Sequence, residues 1–158
     1  KKCQYLKDAS LNEDYVQECT QKAIEVFKTM EFGNKLLIVY DDIYGGHGLK
    51  EREFIEGTLK NITKYESYKL KWKFHNDDDI YICNRHIYQI EDIAVKNLFK
   101  EIILSDIGGK LDLSSSIFII DIDKKTIFDL YDDGELSYMP RKRNILKKYG
   151  ESFMMMYL

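Results

Sequence analysis

Apolar residues recur along this chain with two different periods, and the switches between them mark its elements. From Glu13 to Met30, the positions Tyr15, Val16, Cys19, Ala23, Ile24, Phe27 and Met30 return every three or four residues, with Glu, Gln, Lys and Asp between them. That spacing predicts an amphipathic helix, capped by Asn12 and stopped near Gly33. Lys35 to Asp41 (KLLIVYD) is a β-branched and aromatic run between Gly33-Asn34 and Gly45-Gly46-His47-Gly48, which reads as a buried strand followed by a loop. Leu49 to Lys60 is predicted as a short helix through Phe54, Ile55 and Leu59, although Gly57 weakens it by about 1 kcal/mol relative to Ala.

The period then changes to two. Tyr68, Leu70, Trp72 and Phe74 alternate with Lys69, Lys71 and Lys73, the pattern of a half-buried strand with its lysines in water. Asn76-Asp77-Asp78-Asp79 makes a polar turn, and Ile80 to Ile90 returns as the second strand of a hairpin. A second helical stripe runs through Ala94, Val95, Leu98, Phe99, Ile102 and Ile103 and ends before Gly108-Gly109. Three strands follow, Ser116 to Asp123, Thr126 to Tyr131 and Glu135 to Met139, joined by Lys124-Lys125 and Asp132-Asp133-Gly134 as a meander. Pro140 suits the first turn of a last helix carrying Ile145, Leu146, Tyr149 and Phe153. Short connections favour antiparallel pairing, so the fold class expected is α+β: a mainly antiparallel sheet of about six strands with three or four helices packed on it.

Composition sharpens the picture in a few places. A chain of 158 residues, 44% hydrophobic with one Pro and nine Gly, can bury one core, and residues 1–158 read as a single domain. The net charge of -3, from 24 basic and 27 acidic residues, gives no field that calls for nucleic acid or an anionic membrane. Cys3, Cys19 and Cys83 are odd in number and irregularly spaced, which points away from a disulfide framework and toward a reducing compartment. The longest apolar runs, Leu36 to Tyr40 and Ile117 to Ile120, fall far short of the ~20 residues that span a bilayer, and no signal peptide is read. A soluble, cytoplasmic protein is expected.

His75, Cys83, His86 and Asp77 to Asp79 suggest a metal, but Cys83 and His86 are three apart, which on a strand points them to opposite faces. The acidic set Asp121, Asp123, Asp129, Asp132, Asp133 and Glu135 lacks the order of a calcium loop and reads as turn residues. No nucleophile elbow is present, and Gly45-Gly46-His47-Gly48 lacks the spacing of a phosphate loop. Neither a metal nor a cofactor is therefore expected. Lys64, Lys69, Lys71 and Lys73 beside Tyr65, Tyr68 and Trp72 have the mixture used by single-strand binders. Because Tyr68 and Trp72 fall on the apolar face, a solvated lysine face is the preferred reading and nucleic acid is not expected as a partner. Arg141, Lys142 and Arg143 follow the acidic turn closely enough to pair with it or to form a polar docking edge.

Ile117 to Leu136 (IFIIDIDKKTIFDLYDDGEL), with Ala23 to Tyr40 and Leu98 to Ile107, resembles a family of uncharacterised bacterial domains common in bacilli and clostridia. That family carries a Phe-Ile-Asn strand, an Ile-Phe strand and a Tyr-Asp-Asp-Arg-Gly turn; here Tyr131-Asp132-Asp133 runs directly into Gly134, without the Arg. The resemblance implies only an α+β fold and a bacterial cytosolic setting, and supplies no enzymatic activity to carry over. In size and style the chain also resembles immunity proteins, which neutralise a cognate toxin by covering its active site. The functional expectation is accordingly an immunity-type protein, not an enzyme. It would bind a protein toxin, a nuclease domain, through Asp77, Asp78 and Asp79 or through Asp132, Asp133 and Glu135. The alternatives are a small enzyme with a site around Asp41, Asp42, His47 and His86, and a single-stranded nucleic-acid binder using the lysine strand.

Overall fold

In the computed structural model, which describes residues 4–42, 49–72, 80–113, 117–130 and 136–139, the first apolar stripe forms α1 (Glu13–Thr29). Glu13 and Asp14 in its first turn and Lys28 in its last complement the helix dipole. Asn12 occupies the N-cap position but makes no side-chain capping hydrogen bond there, and the helix stops before Gly33: Met30 is the C-cap and Glu31 turns the chain with φ 48°. The predicted run becomes β1 (Leu36–Asp42), and the weak helix becomes α2 (Leu49–Thr58). Next come β2 (Leu59–Lys60), β3 (Lys64–Trp72), β4 (Tyr81–Ile90) and β5 (Asp92–Ile93). The second stripe is α3 (Val95–Asp106), and the meander is β6 (Ile117–Asp121), β7 (Thr126–Leu130) and β8 (Leu136–Met139). The last helix proposed after Pro140 lies outside the described residues.

The main sheet has six strands in the order β3-β4-β1-β6-β7-β8, and each neighbouring pair is antiparallel. The fold is thus α+β, as the pattern predicts, with β1 inserted between the hairpin and the meander. β2 and β5 pair as a separate two-stranded sheet. Two-residue strands are too short to show a period, which is why alternation did not reveal them.

Alternation assigns the faces. Leu36, Ile38 and Tyr40 of β1, Tyr88 and Ile90 of β4, Ile117 and Ile119 of β6, and Phe128 and Leu130 of β7 share one face. These residues form one core cluster with Ala23 and Ile24 of α1, Ile55 of α2, and Leu98, Phe99 and Ile102 of α3. Its centre is aromatic: the Phe128 ring stacks on Phe99 at 5.0 Å and meets Phe27 edge-on at 5.3 Å. At the end of α3, Gly108 takes φ 91°, and a Cβ on Gly109 would sit 2.7 Å from the Leu104 carbonyl oxygen, so this turn requires both glycines.

The opposite face is also closed over its centre, where Val39, Cys83 and Ile87 are buried outside the helix-side cluster. β3 departs from expectation. Tyr68, placed on a buried face by the sequence pattern, is 45% exposed, and Tyr65 and Lys69 beside it are exposed too. β3 ends the sheet order, so it has a described neighbour on one side only and both of its faces reach water. Alternation reports an amphipathic strand but not how far the covering layer extends. Among the described residues, no helix is long and apolar enough to cross a membrane.

One carboxylate ties the meander to the helix layer. Asp121 is wholly buried, accepting the Gly33 amide at 2.7 Å and the Lys124 amide at 2.8 Å. Burial alone would raise its pKa, yet the Gly33, Lys124 and Asp123 amides outweigh it and hold the carboxyl below its ordinary 3.8. A depressed carboxyl contributes stability that is present above its unfolded value and lost as pH falls through the folded one. Asp121→Asn is therefore expected to cost about 1–3 kcal/mol in urea unfolding at neutral pH. The gap to the parent should close as the titration approaches the acid limb.

Candidate functional site

The residues singled out as a partner surface, Asp77, Asp78, Asp79, Asp132, Asp133 and Glu135, all lie outside the described residues, as do His47 and His75. What the fold does bring together is polar chemistry on both faces of β1 and β4, and an exposed aromatic edge on β3.

On the helix face, register sets His86 opposite Tyr40 and Asp42 opposite Asn84. The His86 ring is nearly parallel to Tyr40 at 5.9 Å and to Tyr65 at 6.1 Å, and its Nδ1 lies 2.9 Å from the Tyr65 hydroxyl. Burial, then the nearby Arg52 charge, lowers the His86 pKa; Asp42, Glu56 and Asp41 act in the opposite sense. A neutral imidazole at physiological pH is the result.

Helix α2 closes this cluster from above. Ile55 anchors it in the core, and the i,i+4 pair Arg52–Glu56 lies on its flank with Nε 3.4 Å from Oε1. The Tyr88 hydroxyl donates to the same Glu56 oxygen at 2.9 Å. Glu51 Oε1 accepts the Asp112 amide at 3.3 Å, while among the described residues its Oε2 and the Arg52 Nε are buried without a hydrogen-bond partner. Sequence reading singled out Asp42 and His86 here but missed Glu51, Arg52 and Glu56. The four-residue spacing of Arg52 and Glu56 was the one local signal; that the helix lies over His86 is tertiary information.

An acid/base site would need His86 to meet a carboxylate. Among the described residues its recorded hydrogen bond goes to Tyr65 instead. Cys83 and His86 do point to opposite faces, and among the described residues no three His, Cys, Asp or Glu side chains group as a metal site.

On the other face, Asp41 and Arg85 are cross-strand partners in register and form a buried, two-pronged ion pair. Arg85 Nε donates to Oδ1 and Nη2 to Oδ2, both at 2.7 Å. Cys83 sits beside them, where burial, then the Asp41 charge, pushes its thiol up to about 12. Such a thiol is protonated at neutral pH and is a weak nucleophile. Asp129, grouped with turn residues by sequence, is in fact within β7, opposite Phe118, and burial pushes its carboxyl up to about 6.

The third feature is the edge. Ile62, Tyr65, Tyr68, Ile80 and Ile82, on and beside the β3–β4 hairpin, are 44–67% exposed. Lys64, Lys69 and Lys71 of β3 are exposed among them, with Lys64 held 2.6 Å from Glu66.

Two stability predictions arise from the buried charges. Arg85→Met is expected to cost about 3–5 kcal/mol, because it leaves Asp41 charged and buried without this partner. The double replacement Asp41→Leu with Arg85→Met should recover most of that loss in the same chemical melt, and failure to recover would assign Arg85 its value through other contacts. For Asp129 the sign is opposite to Asp121: a raised carboxyl favours folding below its unfolded value and loses that contribution as pH rises through about 6. Asp129→Asn should therefore stabilise the domain above that pH, by about 1 kcal/mol once partial solvent contact is discounted, and should leave acid stability nearly unchanged.

Comparison with known proteins finds no curated protein and no solved structure that matches. A family does match, described as Domain of unknown function (DUF3885), over residues 4–150. That span holds α1, the whole main sheet, α2 and α3, so the fold and both polar clusters lie within the match. The chain belongs to the DUF3885 family.

Proposed function

We propose that this domain acts by binding another protein, and that its partner is a bacterial toxin which it neutralises in the cytosol by covering the toxin's working surface. The observation that carries this reading is the β3 edge, where five large apolar side chains stand 44–67% exposed around a strand that ends the sheet order. Large apolar residues exposed beside charge suit an interaction surface, here on both faces of the strand, and an edge strand adds main-chain donors and acceptors for a partner strand. The buried polar groups support the same reading from the other side, since Asp41, Arg85, Asp121 and Tyr88 are engaged within the fold. The acidic segments Asp77 to Asp79 and Asp132 to Glu135 would complement the basic surface of a nuclease, while Lys69 and Lys71 would meet acidic groups beside it.

Co-expression with the product of a neighbouring toxin gene, followed by gel filtration, tests this. Co-elution and rescue of growth are expected, and Tyr68→Glu or Ile82→Glu should abolish both while leaving the free domain folded, since a central apolar contact is worth about 2 kcal/mol or more. Separate elution of the two chains, or the absence of such a gene, overturns the reading.

One observation favours a second reading. Tyr65 lies on the same face of β3 as Lys69 and Lys71, and all three are exposed, as a single-strand binder requires. Binding of an oligothymidine that falls steeply with added salt would select it; no binding, or affinity unchanged by salt, eliminates it.

A further inference from the structure

The two edges of the main sheet differ. β8 ends one side with four residues, whereas β3 ends the other with nine, paired with β4 in one unbroken register and interrupted by no bulge or proline. Short strands, bulges and prolines are the usual guards of a sheet edge, so among the described residues only charge guards this one. In an edge strand every second residue directs its N–H and C=O away from the neighbouring strand. β3 therefore carries a regular row of main-chain donors and acceptors along a side that no described strand takes up.

The side chains beside that row select what can pair with it. Glu66 is committed within the strand: Lys64 holds one of its oxygens at 2.6 Å, and the Tyr68 hydroxyl donates to the other. The exposed Lys69 and Lys71 are left as the excess charge of β3, and register puts them on one face with Ile82, itself 50% exposed. Tyr68 and the half-buried Leu70 alternate with them on the other face. Opposite residues of paired strands share a face, so an added strand has to present acids to Lys69 and Lys71 and apolar groups to Tyr68 and Leu70, in alternation. A second copy of β3 would bring lysines instead. The chain's own C-terminal residues Arg141, Lys142, Arg143, Lys147 and Lys148 have the wrong sign too.

We infer that β3 receives, as a seventh strand of the main sheet, an extended segment of the protein partner in which acidic and apolar residues alternate. This deepens the binding reading given above and rests on it. Main-chain hydrogen bonds supply the affinity, and the alternation of acid and apolar groups supplies the choice of partner.

The test uses the isotope-labelled full chain titrated with an acetylated, amidated octapeptide that alternates Glu and Val. Saturable amide shifts are expected along β3, and hydrogen exchange should slow at alternate β3 residues, those whose amides gain an acceptor. The same peptide with Lys in place of Glu, or N-methylated at every residue to remove its donors, should give no saturable shift. Affinity should fall about tenfold when Lys69→Glu is combined with Lys71→Glu. Lys100→Glu, the same change at an exposed site of α3, should leave it unchanged, and the spectrum of each variant reports whether it is folded. No saturable shift at β3, equal binding of the Lys or the N-methylated peptide, or a dimer formed through β3 in sedimentation overturns the inference. So does oligothymidine that shifts Lys69 and Lys71 where the peptide does not. Peptide binding with failed toxin co-elution keeps the edge site and overturns the toxin reading alone; co-elution without peptide binding keeps the toxin reading and overturns strand addition.

Discussion

The constraint that organises this domain is the burial of both faces of β1. Ile38 and Tyr40 are buried toward the helices, Val39 and Asp41 on the opposite side, and the strand still ends in two adjacent carboxylates. An ionised Asp41 is tolerable there only because Arg85 stands directly opposite and meets it with two parallel bonds. The pair consequently fixes register. A slip of one residue would move Ile38 and Tyr40 out of the core and carry Asp41 away from its guanidinium, so hydrophobic pattern and ion pair select the same alignment of β1 on β4.

The same alternation that satisfies Asp41 turns Asp42 away from Arg85. One residue further along the strand, its side chain must project to the other face, the one that the helices cover. Two neighbouring carboxylates therefore have different surroundings: Asp41 meets Arg85 through two hydrogen bonds, and Asp42 lies on the face that carries Tyr40 and His86. Asp121 offers a third solution, ionised in complete burial because three backbone amides surround it. Comparison of the three shows that burial alone does not decide what a carboxylate does; the donors within reach do.

Much of the fold was legible because its long elements carry clean periods. The stripes in α1 and α3, the apolar run of β1 and the closely spaced meander each translate directly into one element. What escaped was everything set by contact between distant segments. The two-residue strands β2 and β5 have no period to read, and the exposure of Tyr68 depends on where the sheet ends. Asp42 and His86 were visible as residue types, but Glu51, Arg52 and Tyr65 join them only when α2 and β3 fold onto the same end of β4. The acidic segments expected from the sequence, Asp77 to Asp79 and Asp132 to Glu135, lie outside the described residues.

The character of the β3 edge bears on the kind of partner it suits. An exposed edge strand bearing Tyr65 and Tyr68 invites pairing with any other strand, including that of a second copy. Lys64, Lys69 and Lys71 against the single Glu66 make β3 net positive, so a self-paired edge would accumulate like charge along its length. Lysines of this kind disfavour self-association more than they disfavour a partner that presents acidic groups. The edge adjoins the polar end of β1, since Tyr65 of β3 hydrogen-bonds His86, which stands opposite Tyr40. A partner of the kind proposed would then be selected by charge pattern as well as by apolar area, its acidic groups meeting the edge lysines.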